Sequence, residues 1–199
     1  MNGITSRVGA VILAAGMSTR MGQPKMLLPW GSATVIEKVV TALLEAEIAA
    51  PVVVTGSGHN QVCEILSKYA VRPVYNPRFA DGEMLHSLQA GIAALPPGCQ
   101  AAFIVLGDQP QIQAGTVKSL LKEYQGYPSN LIIPSYQMRR GHPWLIGNAL
   151  WAEILALELP LTLRDFLRDH SAEIHYLTMD TPSILEDLDT PDEYRKYRP

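Results

Sequence analysis

A three-layer α/β domain, with a mostly parallel sheet covered by helices on both faces, is what this chain predicts, and three observations carry the prediction. Short apolar runs recur along the 199 residues, with amphipathic stretches between them. The runs are apolar throughout rather than alternating, as strands covered on both faces must be. Hydrophobic residues make up 47% and charged residues 18%, a balance that builds a compact core rather than a disordered chain. The length allows one full core and is short for two, so residues 1–199 read as a single domain.

The elements follow in order. Val8 to Leu13 is a buried strand, and Pro51 to Thr55, with three consecutive valines, is a second. Val71 to Tyr75, Ala101 to Leu106 and Leu131 to Pro134 supply three more. β-branched enrichment and Gly/Pro punctuation favour strand over helix in each. Helices are predicted over Thr34 to Ala46, Asn60 to Tyr69, Met84 to Leu95 and Ala114 to Tyr124. Strand and helix alternate, which makes the arrangement Rossmann-like. After Pro134 the rhythm changes. Ser135 to Trp144 is polar and turn-rich, Gly147 to Ala156 and Leu161 to His170 read as helices, Ile174 to Leu177 as a strand, and Thr190 to Tyr197 as a terminal helix.

Bulk properties exclude several function classes. A net charge of −3 offers no broad basic surface for nucleic acid. Cys63 and Cys99 are far apart and lack metal-ligand spacing, so neither structural zinc nor a disulfide framework is expected. The Val8 to Ala15 run is too short to span a bilayer, and no secretory leader is legible. A cytoplasmic protein with no membrane partner is expected, its two thiols suited to a reducing compartment.

The strongest signal follows the first strand: Leu13-Ala14-Ala15-Gly16-Met17-Ser18-Thr19-Arg20-Met21-Gly22-Gln23-Pro24-Lys25. Ligands of open parallel sheets bind at the carboxyl ends of the strands. Small residues there let backbone N–H groups approach a ligand, and Gly16 and Gly22 permit backbone angles other residues resist. Arg20 and Lys25 add two positive charges, a fork and a point charge suited to phosphate. The segment is neither a Walker A loop nor a Rossmann fingerprint, since neither glycine spacing is present.

The segment resembles the Leu-Ala-Ala-Gly-x-Ser-x-Arg-Met-Gly-x-x-Lys signature of the MobA-like NTP transferases. It is most similar to their molybdenum cofactor cytidylyltransferase branch, where Gln-Pro-Lys and Leu-Leu-Pro-Trp-Gly are also usual. Gln23-Pro24-Lys25 and Leu27-Leu28-Pro29-Trp30-Gly31 match both. The resemblance implies a sheet of the nucleotide-diphospho-sugar transferase type, with CTP as preferred NTP, Mg²⁺, a phosphorylated acceptor such as molybdopterin, and a molybdoenzyme apoprotein as a further partner. It implies nucleotide contacts from Leu13, Ala14, Ala15, Gly16, Arg20, Lys25 and Ser87, the last in a Glu-Gly-Met-x-x-Ser-Leu-like segment. The cytidylyl branch has Ala where the guanylyl branch has Gly, so the Ala15 methyl is expected to disfavour a purine.

Leu106-Gly107-Asp108-Gln109-Pro110 ends the fourth strand. Asp108 beside an anion-binding loop makes sense if Mg²⁺ bridges it to a triphosphate, and it also reads as a turn or helix cap. The family's Gly-Asp-x-Pro implies the metal role, with Arg20, Lys25 and Asp108 as the catalytic set. In Asp187-Leu188-Asp189-Thr190-Pro191 the two aspartates share a face if the segment is extended. The segment resembles the branch's Asp-Ile-Asp-Thr-Pro-Glu-Asp, which implies an acidic group near the metal, and Asp187 is the expected ligand, because Asp189 is available to cap the following helix. Arg139-Arg140-Gly141-His142-Pro143 resembles the branch's Arg-Arg-Gly-His-Pro. It reads as a flexible turn whose Arg140 and His142 suit a phosphate-bearing acceptor, or as an exposed basic turn. His86 reads as a surface helix histidine or a pocket residue, and His59, His170 and His175 as structural. Leu159 to His170 departs from the branch's glycine-containing pattern, which leaves open a sugar or alcohol phosphate as acceptor. A non-catalytic accessory protein that carries a molybdenum cofactor is the third reading.

Overall fold

The computed structural model describes residues 7–81, 84–127 and 129–199. The elements are β1 (Val8–Ala14), β2 (Pro29–Trp30), β3 (Ala33–Thr34), α1 (Val35–Glu45), β4 (Val52–Thr55), α2 (His59–Leu66), β5 (Arg72–Tyr75), α3 (Met84–Ala93), β6 (Ala101–Leu106), α4 (Ala114–Gly126), β7 (Leu131–Tyr136), β8 (Arg139–Arg140), β9 (Trp144–Gly147), α5 (Trp151–Ala156), α6 (Leu163–Asp169), β10 (His175–Thr178) and α7 (Pro191–Tyr197). Gly82 and Glu83, part of the segment expected to reach the base, lie outside the described residues.

The main sheet runs β10-β7-β9-β6-β1-β4-β5, with β8 added to β7. β1 is central and parallel to both neighbours, Val11 pairing with Val52 of β4 and with Ile104 of β6. All seven of its residues are buried, as a strand covered on both faces requires. Alternate residues feed two separate cores. Ala10, Ile12 and Phe103 pack with Ile36, Val40 and Leu43 of α1, Val62 and Leu66 of α2 and Leu120 of α4. Val11, Leu13, Ile104 and Trp144 face the other way, onto Leu85 and Leu88 of α3, Ile154 of α5 and Phe166 of α6. The three-layer expectation holds.

Helix starts follow local chemistry. Thr34 caps α1 by accepting from the Glu37 N–H, while the Glu37 carboxylate reaches back to the Thr34 N–H at 2.7 Å. The same box recurs at Thr162 with Asp165 and at Thr190 with Glu193.

Several expectations need correction. β5 is an exposed edge strand, not a doubly covered one; Arg72 and Tyr75 face solvent. The segment read as a flexible turn after Pro134 is a β-hairpin, with Gln137 and Met138 at positive φ between β7 and β8. Trp144–Gly147 forms β9, which lies between β6 and β7 and is antiparallel to both. The helix expected from Gly147 is a 3₁₀ turn over Asn148–Leu150, and only then α5. No helix of the described residues is long and apolar enough to cross a membrane.

Candidate active site

The site lies where the parallel strands end. Leaving β1, the chain turns at Ser18, whose φ is 54° and whose carbonyl accepts from the Met21 and Gly22 N–H groups. Gly22 has φ 72°, a conformation glycine adopts without Cβ strain. Gly16, expected to need unusual backbone angles, does not have positive φ; a Cβ there would meet nothing within 4 Å. Its role in this geometry is an open approach to the backbone. The Lys25 N–H then donates to Ser18 Oγ at 3.1 Å, which closes the loop and aims the lysine inward.

Lys25 is buried. Its Nζ donates to Asp108 Oδ2 at 2.6 Å and to Asp189 Oδ1 at 3.0 Å. Burial opposes its charge, but the Asp108 and Asp189 carboxylates outweigh that and raise its pKa above the ordinary lysine value. Arg20, 70% exposed, pairs with Asp189 Oδ2 at 2.6 Å. Asp108 reaches this point because Gly107 lets β6 end close against β1. A Cβ on Gly107 would stand 2.9 Å from the Leu13 carbonyl oxygen and 3.1 Å from the Met26 sulfur. The C-terminal segment arrives by a buried anchor. Leu188 is fully buried with Met21, Leu28, Trp30 and Val35, and its N–H donates to the Asp108 carbonyl at 3.1 Å.

The expectation that Asp189 caps the last helix is overturned. Thr190 is the cap, so the Asp189 side chain is free to bridge two cations. Cations near Asp189 lower its pKa, against the effect of burial. Asp187 is opposite in character. Burial first, then the charges of Asp108, Asp189 and Glu193, push its pKa up. It forms no ion pair among the described residues.

Oxygen donors without thiolate or imidazole suit Mg²⁺ or Mn²⁺ rather than zinc. Among the described residues no group of three or more His, Cys, Asp or Glu could hold a metal alone. A cation that keeps waters and phosphate oxygens needs only one or two carboxylates, so Asp108 with the half-buried, cation-free Asp187 fits.

The remaining sequence candidates lie near the same strand ends. Leu13, Ala14 and Ala15 are buried, so they offer a ligand backbone rather than side chain. The Ala15 methyl belongs to the core under α3, and any effect on a base pocket passes through packing. Ser87 is buried as well, its Oγ accepting from Asn76 Nδ2 at 3.0 Å. Asn76 itself is a residue the sequence reasoning missed; its Oδ1 accepts from the Arg78 N–H and fixes the loop after β5. His86 is buried, not on the surface, with Nδ1 3.7 Å from Asp81 Oδ2 and without a hydrogen-bond partner among the described residues.

Arg140 is exposed on β8, its guanidinium 5.5 Å from the Tyr176 ring centre. His142 stacks on Trp144 at 4.4 Å and 19°, with Nδ1 3.4 Å from the Ile104 carbonyl. Desolvation pushes its pKa down to about 4. It is therefore a neutral ring at pH 7, and of the two expected acceptor-binding residues only Arg140 carries a positive charge. An open groove of about 530 Å³ lies behind Gly56, lined by residues such as His59, Tyr75 and Phe79. Among the described residues its lining includes no Asp, Glu, Lys or Arg.

Comparison with known proteins places the chain in a family. Residues 10–174 match the model of the MobA-like NTP transferase domain. The molybdenum cofactor cytidylyltransferase of Escherichia coli K12 is 27% identical over 95% of this chain and 94% of that protein. Nicotine blue oxidoreductase of Paenarthrobacter nicotinovorans is 29% identical over 94% of each. Among solved structures, Rv0371c from Mycobacterium tuberculosis H37Rv superposes with a TM-score of 0.83 at 24% identity, covering 96% of this chain and 97% of that one. The same protein has been solved in complex with manganese.

Proposed function

The chain belongs to the MobA-like NTP transferase family, and on that premise we propose that it moves CMP from CTP to the phosphate of molybdopterin, releasing pyrophosphate. The observation that carries the reading is the cluster of Lys25, Arg20, Asp108 and Asp189 at the carboxyl ends of β1 and β6. Two cations on a glycine-bearing loop suit a triphosphate, and adjacent carboxylates suit a divalent cation that accompanies it.

An acceptor phosphate monoester is mostly dianionic at neutral pH. Its oxygen attacks the α-phosphorus of CTP, a new P–O bond forms, and the bond to the β-phosphate bridging oxygen breaks. No proton need move, so no general base is required. Positioning and charge neutralisation remain. Lys25 and Arg20 hold the triphosphate and take up charge as pyrophosphate leaves. Asp108 and Asp187 would hold the divalent cation, which when bound would screen the phosphates and polarise the α-phosphoryl group. Ser87 and the backbone of Leu13 to Gly16 border the base. Arg140 faces the acceptor phosphate, while neutral His142, stacked on Trp144, offers a flat surface to the acceptor's ring. The whole chain acts as one catalytic domain.

The test is pyrophosphate release with purified protein, molybdopterin and each of CTP, GTP, ATP and UTP, with Mg²⁺ or Mn²⁺. Release fastest with CTP supports the reading. Equal release with a sugar phosphate in place of molybdopterin would move the acceptor assignment, and no release with any nucleotide would overturn the transferase mechanism for this chain.

A further inference from the structure

Among the described residues, exposed leucine occurs in one place. Leu155, Leu159 and Leu161, at 44%, 43% and 47% exposure, follow one another at the end of α5 and in the loop to α6. The other large apolar side chains that reach solvent are methionines and tyrosines scattered over the chain, which is ordinary for a protein surface. Three exposed leucines on one short stretch are not, since each forgoes the free energy of burial.

The stretch is held in place without a partner. Ile154 and Leu163, at either end, are buried in the core. Gln89 of α3 shares its Nε2 hydrogens among the Ile154, Leu155 and Leu157 carbonyls, at 3.0, 3.4 and 2.9 Å. The Leu161 N–H donates to the Glu158 carbonyl at 3.0 Å, and Thr162 then caps α6. A surface already fixed loses little entropy when something docks on it.

Charge beside the leucines selects what docks. Arg168 is engaged by Asp165 and Asp169, and Glu153 by His170. Glu158 and Arg164 are exposed, and neither forms an ion pair among the described residues. They stand on opposite sides of Leu161 in the chain. A patch with an acid on one flank and a base on the other is complementary to itself when turned by 180°. We propose that this stretch is a two-fold interface between two copies of the chain, with Leu155, Leu159 and Leu161 at its centre and Glu158 of each copy against the partner's Arg164. A standard interface buries roughly 800 Å² on each partner, more than three leucines expose, so the flanks of α5 and α6 take part. The dimer is one that forms at micromolar concentrations rather than a permanent one.

Sedimentation velocity of the full chain in low salt, from about 1 to 300 µM, tests this. Wild type should pass from monomer to dimer over that range. Leu159→Asp should stay monomeric throughout, and Leu161→Lys repeats the measurement if the first variant melts early. Glu158→Arg and Arg164→Glu should each weaken the dimer by roughly tenfold, because each places like charges together twice across the axis. The double variant restores both pairs in reverse, and its dissociation constant should return to within about threefold of wild type. A wild-type chain that is monomeric at every concentration overturns the proposal and leaves the leucines to a different protein. A dimer that survives both leucine substitutions overturns it as well, since the interface then lies elsewhere. Failure of the double variant to recover refutes the two-fold pairing.

Discussion

Replacing Lys25 by Met keeps the length of the side chain and removes its charge. Asp108 and Asp189 lose a partner at 2.6 and 3.0 Å, and Asp108, Asp187 and Asp189 are left with Arg20 alone. Breaking a fully buried ion pair by deleting one member costs about 3–5 kcal/mol. Here the side chains retain some contact with water, at 11% exposure for Lys25, 18% for Asp108 and 26% for Asp189. The carboxylates can be partly rehydrated, which lowers the expected loss to about 2 kcal/mol. For a chain of this size that corresponds to a fall in melting temperature of roughly 4–8 °C. Differential scanning calorimetry at pH 7.5 and low ionic strength measures it, and molar salt should narrow the gap between variant and wild type. The pH dependence has a definite sign. The folded pKa of Lys25 lies above its ordinary value of 10.5, so its contribution is complete below that value and is lost as pH rises through the folded pKa. Pyrophosphate release should fall by about 10²–10³-fold, the effect of deleting one preorganised charge-stabilising donor. A Lys25→Met protein that melts with wild type in low salt would refute the stability argument, and wild-type turnover would refute the catalytic one.

Other outcomes follow from single residues. Asp187→Asn should raise the melting temperature while impairing Mg²⁺-dependent turnover, since it removes a half-buried carboxylate repelled by Asp108 and Asp189; a lower melting point would contradict this. Its folded pKa is raised, so wild type loses stability as pH climbs above about 3.8, and the variant should lack that slope. The His142 ring should titrate near pH 4 by NMR, with stability declining as pH falls from 6.5 toward 4 because only the unfolded chain takes up the proton easily; a midpoint near 6.5 would show an open ring. Glu37 is pushed up by burial but held down to about 2 by Lys68 and Thr34. Glu37→Gln should cost about 1 kcal/mol at pH 7 in chemical denaturation, and the difference should vanish as pH falls from 4.5 through 2.

Much of this architecture was legible because it is local. The apolar runs at Val8, Pro51 and Ala101 mark their strands without help from the rest of the chain, and the glycines and cations of residues 16–25 single out that loop as the proposed anion site. What stayed hidden depends on distant partners. β9 is four residues long, and its Trp144, Leu145 and Ile146 carry no period that separates a strand from the start of a helix. β2 and β3 are two residues each and exist only as a pair. Asp-Thr-Pro reads equally well with Asp or Thr as the cap, and only the position of Lys25 and Arg20 draws the aspartate away. His86 lies on a helix of weak amphipathic character, so its burial against the core could not be read from spacing.

The ion pair between Lys25 and Asp189 joins side chains 164 positions apart. The charges that balance the loop of residues 16–25 therefore come from two distant places: Asp108 at the end of β6 holds Lys25, while Arg20 depends on Asp189 alone among the described residues. Removing the segment from Leu188 onward would keep the Lys25–Asp108 pair and leave Arg20 unbalanced, so a distant stretch of chain sets how strongly this loop draws polyanions.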